Sequence, residues 1–507
     1  MAVILTLILA GTASAANTTD NETINVLVIH SIEGTRVVND AAHAVLEGHP
    51  DLNVTIRVRS SPQIVNSTPE EIEALINSSD IILCNYLGTE DYTRILKVVS
   101  ARPEILNGKF FALFDGASGI ELVKLSQLNG VCFFDGVPDG VVTNVSRALR
   151  VLQPLPFLQE YVSQYPQIAI WATGEGYYCY RNIESYSNQI LWALDVWARS
   201  RGTDLNLTYG PPRAVSRELL YRDGKLYENL TDYLRDYPLD PSKPTVGLIE
   251  SESNMLGGGT AHIDSLISRL RDRYNIISVV ARYGDNTYSA MVRFFTDAPG
   301  IQAFEADPQI YHPRIEALIS FSTYLLGGSS SEKVNSLLKF MNIPVLRGVI
   351  VNTRTVEDWL VSSDGVTPWS VDDVMGQAGF SETQGLIEPI IIAAAEFSTD
   401  PVTGAYTYSY AIIPERIEKL AQRLIAWMNL RTTPSSEKKI AIIYYNYPPG
   451  KSEIGASYLN VPESILEILL NLRASGYITG DISNVTELVS LMIERGINVA
   501  SWAPGEL

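Results

Sequence analysis

The sequence predicts an α/β protein built from several consecutive parallel-sheet units, with a helical insertion and an incomplete last unit. Short apolar runs rich in β-branched residues alternate along most of the chain with segments whose apolar residues recur at helical spacing, which is the pattern of βαβ units. Strand signals become sparse between about residues 151 and 240, where tyrosine and tryptophan are dense. The alternation returns near residue 244 and again near residue 437. We therefore expect flavodoxin-like or Rossmann-like sheets on both sides of a helical insertion.

With 507 residues and 46% hydrophobic content, the chain is too long for a single hydrophobic core. The apolar run near the N-terminus is too short to span a bilayer, and no other run reaches the roughly 18 residues that a membrane-spanning helix requires. The changes in pattern predict five segments: a signal peptide (1–16), an N-terminal α/β domain (22–150), a mostly helical, aromatic-rich segment (151–240), a second α/β domain (244–436) and the start of a third, truncated α/β unit (437–507).

The N-terminal domain begins with the strand-like run NVLVIH, Asn25 to His30. A capping box lies further along, because Thr68 precedes Glu71 by three residues and Pro69 occupies the first helical position. The run IILC and the segment KFFALFDG then continue the alternation. Helices that connect successive strands in this way predict a parallel sheet.

The aromatic-rich segment is predicted to be helical because Ile190, Leu191, Leu194 and Trp197 share one helical face. Its aromatic side chains could line a ligand pocket or, as is commoner at this spacing, form part of a hydrophobic core.

The second α/β domain begins with the strand run VGLI after a proline-containing linker. Thr260 is the expected N-cap of the next helix, and IISVV is the next expected strand. The segment MLGGGTAH, Met255 to His262, could hold an anion with its backbone amides or could be an ordinary turn. Glu388 lies inside an apolar run, so it either faces solvent at the end of a strand or is partly buried for metal or proton handling.

The third unit begins with KKIAII at Lys438, which predicts a buried strand. A helix follows with Pro462 near its start and Gly476 at its C-terminal end. One strand and two helices cannot close a doubly wound sheet. Either these residues extend the preceding domain, or the chain is a fragment or one half of a split protein.

The stretch YYNYPPGKSEIG, which begins at Tyr444, contains GKS directly after this predicted strand and therefore resembles a phosphate-binding loop. The glycine that such a loop needs is replaced by Tyr445, and Pro448 and Pro449 lack backbone N–H donors. We therefore expect no nucleotide to be bound by a P-loop in this chain.

The net charge of the chain and the spacing of its cysteines and histidines argue against further classes of function. The formal net charge of −19 would repel a phosphate backbone, so we expect no nucleic-acid partner. The three cysteines have no CxxC spacing, and none of the five histidines belongs to an HExxH pair. The cysteines are expected to be small buried residues, and the metal ligands are unknown.

The first residues predict export. A short apolar core from Val3 to Ala10 precedes Ala13-Ser14-Ala15, which matches an A-x-A cleavage pattern. Nine N-x-S/T triplets, eight of them before residue 230, fit a glycosylated N-terminal half and equally fit ordinary loops rich in asparagine and threonine. The expected location is outside the cell or on its surface.

Several segments resemble, in order and spacing, CobN, the large subunit of cobaltochelatase, and the related H subunit of magnesium chelatase. The resemblance covers residues 245–507 well and the N-terminal half weakly, and its specificity comes from the ordered set. The segments are VGLIE…GGGTAHIDSLISRL (from Val246), IEALISFSTYLLGG (Ile315 to Gly328), NIPVLRGVIVNTRTVEDWLVSSDGVTP (Asn342 to Pro368), QGLIEPI (Gln384 to Ile390), KKIAIIYYNYPPGKSEIGASYLNVPESILEILLNLRASGY (Lys438 to Tyr477) and INVASWAPGEL (Ile497 to Leu507).

The resemblance implies a subunit that binds a tetrapyrrole and inserts cobalt or magnesium as the substrate ion. It implies that separate AAA+ chelatase ATPase subunits hydrolyse the ATP, which agrees with the missing P-loop. It also implies a much longer protein, so this chain is expected to be an N-terminal portion that acts with the remaining chelatase sequence.

Metal insertion requires a group that takes up the pyrrole protons and hands over the cation. On the positions that match the family, the candidate catalytic residues are Glu388, Glu453 and Glu506. The candidate contacts to substrate are Asn446, Tyr447 and Lys451, and Lys451 could equally be a solvated loop lysine.

The predicted export conflicts with this role, because ATP-driven chelation belongs in the cytoplasm. The first hypothesis is therefore a CobN-like chelatase portion, cytoplasmic if the family role holds. The alternative is an exported, non-catalytic surface protein that binds a tetrapyrrole or corrinoid. A third is a surface protein whose α/β domains serve only as scaffold.

Overall fold

The computed structural model describes residues 23–114, 120–150, 161–213, 216–368, 370–444 and 459–495. The chain forms two compact units, Met1–Ala421 and Gln422–Leu507. The first unit holds two β-sheets flanked by helices, which confirms the predicted α/β class. The predicted signal peptide lies outside the described residues.

The first sheet has six strands in the order β2-β1-β3-β4-β5-β6. Its four long strands are parallel, and the two short strands at one edge are antiparallel. The strands are β1 (Ile24–His30), β2 (Val54–Ser60), β3 (Ile81–Cys84), β4 (Phe110–Leu113), β5 (Gln127–Leu128) and β6 (Val131–Cys132).

Helices connect these strands, as the sequence pattern predicts. The Thr68 capping box is confirmed: the Thr68 backbone N–H donates to Glu71 Oε2 at 2.8 Å, and the Glu71 N–H donates to Thr68 Oγ1 at 3.3 Å. The helices are α1 (Ile32–Gly48), α2 (Ser61–Asn66), α3 (Pro69–Asn77), α4 (Thr89–Ala101), α5 (Ile120–Val123) and α6 (Asp139–Arg150), with a 3₁₀ turn at Pro103–Leu106.

Two helices of the aromatic-rich segment, α7 (Ile168–Cys179) and α8 (Ile183–Ser200), pack on the first sheet. The Trp171 indole N–H donates to the Leu113 carbonyl at 2.8 Å, and the Trp192 ring meets the Phe110 ring edge to face at 5.6 Å. Most aromatic residues here therefore belong to the hydrophobic core, which is the commoner of the two roles that the sequence left open.

The second sheet has eight strands in the order β14-β13-β12-β11-β9-β10-β7-β8. Its five central strands are parallel and, numbered along the chain, follow the flavodoxin-like order 2-1-3-4-5. Antiparallel strands extend both edges. The strands are β7 (Glu218–Arg222), β8 (Lys225–Tyr227), β9 (Thr245–Ser251), β10 (Asn275–Ala281), β11 (Ala317–Ser320), β12 (Val345–Val351), β13 (Ile387–Thr399) and β14 (Tyr406–Ile412).

The helices of this half follow the strands in sequence. Thr260 is the N-cap residue of its helix as predicted, although its hydroxyl donates to Asp264 Oδ2 at 3.0 Å instead of capping a backbone N–H. The helices are α9 (Leu230–Asp236), α10 (Glu252–Gly258), α11 (Ala261–Leu270), α12 (Asp285–Phe295), α13 (Ile301–Ala306), α14 (Ser331–Met341), α15 (Val356–Val361), a π-helix (Asp372–Gly379), α16 (Phe380–Thr383) and α17 (Pro414–Thr432), with 3₁₀ turns at Pro308–Ile310, Gly328–Ser330 and Ser435–Glu437.

The second unit contains α18 (Val461–Ala474) and α19 (Val485–Arg495), which share a small core. The predicted strand KIAII is wrong: residues 438–444 have no strand structure, and the Ile443 side chain is 94% exposed. In residues 422–444 and 459–495 there is no strand with which this segment could form a ladder. None of the helices in the described part of the chain is both long and apolar enough to cross a bilayer.

Candidate ligand-binding cleft

A cleft of about 600 Å³ lies within the first unit and is lined by residues from both sheets. His30 is the last residue of β1 and Ser251 is the last residue of β9, while Ser322 and Asn352 follow β11 and β12. The cleft is therefore bordered by the carboxyl ends of parallel strands from both sheets.

Three of these strands, β1, β9 and β11, flank the positions where the strand order reverses. These positions lie between β1 and β3 in the first sheet and between β9 and β11 in the second. Helices leave the two flanking strands toward opposite faces at such a position, so a crevice opens there, and ligands of open α/β sheets bind in it. The volume also lies in the range of small-molecule sites.

Aromatic side chains form much of the wall of the cleft. The rings of Phe397 and Tyr406 are stacked with centroids 5.6 Å apart, and the rings of Tyr283 and Tyr324 meet edge to face at 6.0 Å. Such surfaces suit a flat, largely apolar ligand. The aromatic lining residues are Tyr86, Tyr186, Tyr283, Tyr324, Phe397, Tyr406 and Tyr408.

His30 is a buried, uncharged residue in the wall of the cleft. Its Nε2 lies 2.9 Å from the Tyr186 hydroxyl, and its Nδ1 lies 3.1 Å from Ser31 Oγ. Burial, and secondarily the positive charge of Arg181, lower the pKa of His30 to about 3. Burial raises the pKa of Tyr186, so its hydroxyl stays protonated and donates to the imidazole.

A second buried network lies beside the cleft and holds Asn254 against it. The Asn254 amide donates to Glu250 Oε1 at 2.9 Å, and Glu250 Oε2 lies 2.8 Å from His262 Nε2. Glu250 and His262 are almost completely buried. Arg347 is buried nearby, and burial lowers its pKa to about 10, an effect that the charge of Glu250 opposes. The hydrogen bonds of Glu250 join β9, α10 and α11.

Arg181 borders the cleft at the end of α7, with its backbone in the left-handed region at φ 32°. Its guanidinium lies over the Tyr178 ring at 5.3 Å and donates to the Tyr178 hydroxyl at 2.8 Å. A non-glycine residue with positive φ is uncommon, and such residues concentrate at functional sites. Arg181 therefore brings a positive charge to an otherwise largely aromatic wall.

Comparison with known proteins identifies the family of this chain. A model of the family CobN/Magnesium Chelatase matches residues 175–506. The chain belongs to the CobN/magnesium chelatase family. The match begins inside the aromatic-rich segment, well before the motifs at residue 245 on which the resemblance rests, and it includes Arg181 and Tyr186 of the cleft.

Individual proteins are also similar to this chain in sequence or in structure. An uncharacterized protein of Methanocaldococcus jannaschii is 29% identical over 332 residues, which cover 64% of this chain and 26% of that protein. The chloroplastic magnesium-chelatase subunit ChlH of Oryza sativa subsp. indica is 28% identical over 288 residues, 54% of this chain and 19% of that subunit. The solved structure of the catalytic subunit of cobaltochelatase from Mycobacterium tuberculosis has a TM-score of 0.52 at 17% identity, covering 93% of this chain and 33% of that one.

This last likeness shows a shared fold. The chain spans about a third or less of the length of these three relatives.

The site residues predicted from the family motifs are not in this cleft. Glu388 lies near the amino end of β13, in an irregular stretch of the β12–β13 ladder with φ 56°, whereas the cleft lies at the carboxyl ends of the strands. Its proposed catalytic role stays a prediction. The other five candidates lie outside the described residues: Glu453, Glu506, Asn446, Tyr447 and Lys451.

The chelatase family motif MLGGGTAH has a structural role that its sequence did not reveal. Its glycines end α10, and a Cβ atom on Gly258 would lie 2.3 Å from the Tyr410 ring, while one on Gly257 would lie 2.2 Å from the Tyr408 hydroxyl. Glycine at these positions lets α10 approach the aromatic face of β14. This packing accounts for the motif without an anion.

Sequence reasoning missed most of the cleft, but a usable signal existed. His30 ends the run NVLVIH and Ser251 follows VGLIE, so each stands at the carboxyl end of a predicted parallel strand, where ligands of such sheets bind. Among the described residues, no group of three or more histidine, cysteine, aspartate or glutamate side chains is placed to hold a metal ion.

Proposed function

We propose that this chain is part of a metal chelatase and binds the tetrapyrrole in the cleft between its two sheets. The observation that carries the proposal is the aromatic wall at the carboxyl ends of the strands, in a chain that belongs to the chelatase family. A tetrapyrrole is a flat aromatic ring system, and offset or edge-to-face ring contacts stabilise such ligands.

The proposed reaction inserts cobalt or magnesium, the substrate ion, into the tetrapyrrole. The pyrrole nitrogens must lose protons as the ion enters. The neutral His30 imidazole accepts a hydrogen bond from Tyr186, so its Nε2 lone pair is occupied in this state. We therefore keep Glu388, Glu453 and Glu506 as the proposed catalytic groups. Asn446, Tyr447 and Lys451 remain the proposed substrate contacts. AAA+ ATPase subunits and the remaining chelatase sequence would be the partners.

Ligand binding is tested by titrating the purified chain with hydrogenobyrinic acid diamide and with protoporphyrin while following absorbance. We expect a spectral shift with at least one of them.

Tyr324→Ala should weaken binding about tenfold, because an aromatic contact to a flat ligand contributes about 1 kcal/mol or more. Leu360→Ala is the matched control, since Leu360 is 61% exposed and lies outside the cleft. No spectral change with either ligand would leave only the scaffold hypothesis.

The second candidate function is an exported, non-catalytic tetrapyrrole- or corrinoid-binding protein. The N-terminal apolar run before Ala13-Ser14-Ala15 favours it. Mass spectrometry of the N-terminus, on protein isolated from the organism that makes it, separates the two functions. A mature chain that begins after Ala15 supports export, whereas an intact N-terminus supports the cytoplasmic chelatase.

A further inference from the structure

Three arginines, Arg181, Arg217 and Arg282, lie close enough together that the charges of Arg181 and Arg282 both lower the pKa of Arg217. Arg181 lines the cleft directly. Arg217 precedes β7 and Arg282 follows β10, and the Arg282 backbone N–H donates to the Arg217 carbonyl at 2.9 Å. Because β7 and β10 are antiparallel neighbours, the beginning of one and the end of the other meet at the edge of the sheet where the cleft lies.

The carboxylate found with this group is Glu252, which begins α10. Its Oε2 lies 3.6 Å from Arg282 Nε, too far for a hydrogen bond, and the side chains of Arg282 and Glu252 are only 18% and 16% exposed. In the described part of the chain, this is the one ion pair that involves any of the three arginines. The three arginines therefore share one ion-paired carboxylate, in a protein whose net charge is −19.

Several donors of this group have no acceptor among the described residues. The buried atoms Arg217 Nε, Arg217 Nη2 and Arg181 Nε make no hydrogen bond, and Glu252 Oε2 also accepts none. Burial, followed by the like charge of Arg282, lowers the pKa of Arg217 to about 10. Buried donors are almost always paired, and unpaired charged ones are costly. The arrangement is that of a site whose acceptor is a ligand.

We propose that Arg181, Arg217 and Arg282 form a subsite for the carboxylate groups of the ligand that occupies the cleft. Arginine presents several N–H donors in a planar fork that matches a carboxylate with paired hydrogen bonds. A local positive cluster is also needed to attract an anionic ligand to a strongly acidic protein. The proposal rests on the proposed function, because it takes the cleft ligand to be a tetrapyrrole that carries carboxylates.

The test compares protoporphyrin with its dimethyl ester, which keeps the ring system and removes the negative charges. Wild-type protein should bind the acid about tenfold more tightly than the ester, because each charge-assisted hydrogen bond contributes about 1.5–3 kcal/mol. Arg217→Gln and Arg282→Gln should abolish this preference by weakening acid binding alone. Arg273→Gln, an exposed arginine on the same unit, should change neither affinity.

Thermal unfolding without ligand separates binding from structure. Arg217→Gln should melt no lower than wild type, because it removes a buried cation with unpaired donors. A large fall in Tm together with equal losses of acid and ester affinity would overturn the subsite and assign Arg217 a structural role. Equal wild-type affinities for acid and ester would also overturn it, while leaving tetrapyrrole binding intact.

If neither porphyrin binds, the proposed function fails, and the cluster is then tested with succinate as a simple carboxylate. Succinate should raise the Tm of wild type and of Arg273→Gln, with no rise in Arg217→Gln or Arg282→Gln. An equal rise in all four proteins, or a rise in none, would overturn the anion subsite independently.

Discussion

His30 shows how the fold sets the charge of a single residue. Its ring is buried, and its hydrogen bonds fit the tautomer with the proton on Nδ1, directed at Ser31, and the lone pair on Nε2, directed at the Tyr186 hydroxyl. The positive charge of Arg181 adds to the effect of burial and disfavours the imidazolium. The cleft thus places a neutral hydrogen-bonding group, His30, next to a cationic one, Arg181.

We predict that this histidine makes the protein sensitive to mild acid. The pKa of His30 is 6.5 when unfolded and about 3 when folded, so between these values the unfolded state binds more protons. The stability contribution is complete above the unfolded pKa and falls by about 1.4 kcal/mol per pH unit as the pH drops toward the folded pKa. Urea unfolding between about pH 7 and pH 5 should show a loss about 2 kcal/mol smaller in His30→Gln than in wild type.

The matched control is His312→Gln, which removes a histidine whose side chain is 80% exposed and should keep the acid loss that wild type shows between pH 7 and pH 5. Equal acid losses in wild type and His30→Gln would contradict the suppressed protonation of His30.

Gly34 is required by the position of the His30 ring. A Cβ atom at residue 34 would lie 1.9 Å from the His30 Cε1 atom. We predict that Gly34→Ala lowers the free energy of unfolding by about 1–3 kcal/mol, as overpacked core substitutions do. Gly48→Ala is the control in the same helix, because nothing lies within 4 Å of its Cβ position, and it should be neutral or slightly stabilising. Denaturant unfolding at neutral pH decides between these outcomes.

At the scale of elements, the β13–β14 hairpin connects the two sheets of the first unit. Its turn docks on the first sheet, where the Val58 N–H donates to the Thr403 carbonyl at 3.1 Å. Asp400 Oδ2 lies 2.8 Å from His43 Nε2 of α1. Burial acts to raise the pKa of Asp400. The hydrogen bonds from the Thr403 N–H and from His43 nevertheless hold this pKa well below its usual range. The same hairpin supplies aromatic residues to the cleft.

We predict that Asp400→Ala weakens this connection. It removes acceptors for His43, Asn39 and the backbone of the turn, and leaving such donors unpaired costs about 1–3 kcal/mol. The expected result is a lower Tm together with a weaker porphyrin affinity, because Tyr406 and Tyr408 follow the turn. Asp272→Ala, at an exposed position, should change neither quantity. An unchanged affinity in Asp400→Ala would show that the hairpin does not position the cleft wall.

The elements that the sequence predicts well are those whose signals are local. The Thr68 capping box and the helix start near Pro462 depend on adjacent residues, and both are confirmed. KIAII fails as a strand because a strand needs a partner, which no local pattern reveals. The role of the glycines in MLGGGTAH could not be predicted from the local sequence either. Glycine is needed there because the helix contacts Tyr408 and Tyr410, about 150 residues further along the chain.

At the scale of the whole molecule, the parallel sheets follow from the alternation of strands and helices. The strand order and the cleft do not, because the cleft depends on how the two sheets are placed next to each other. Its residues come from segments as far apart as His30 and Tyr408. Hydrophobic periodicity carries no information on that pairing. The family motifs drew attention mainly to the third α/β unit that the sequence predicts. In the described structure, the aromatic and cationic walls of the cleft lie in the first of the two compact units.

The last prediction concerns the cooperativity of the first unit. Helices α7 and α8 pack on the first sheet, the chain then enters the second sheet at β7, and the β13–β14 hairpin returns to the first sheet. Neither sheet can unfold without exposing side chains that the other buries, so hydrogen exchange should protect the amides of β1, β3, β9 and β11 with similar free energies. In the second unit, α18 and α19 share only a small core and should exchange at lower free energy. Mass spectrometry of deuterium uptake measures both, and protection of one sheet far above the other would show that the two halves of the first unit unfold independently.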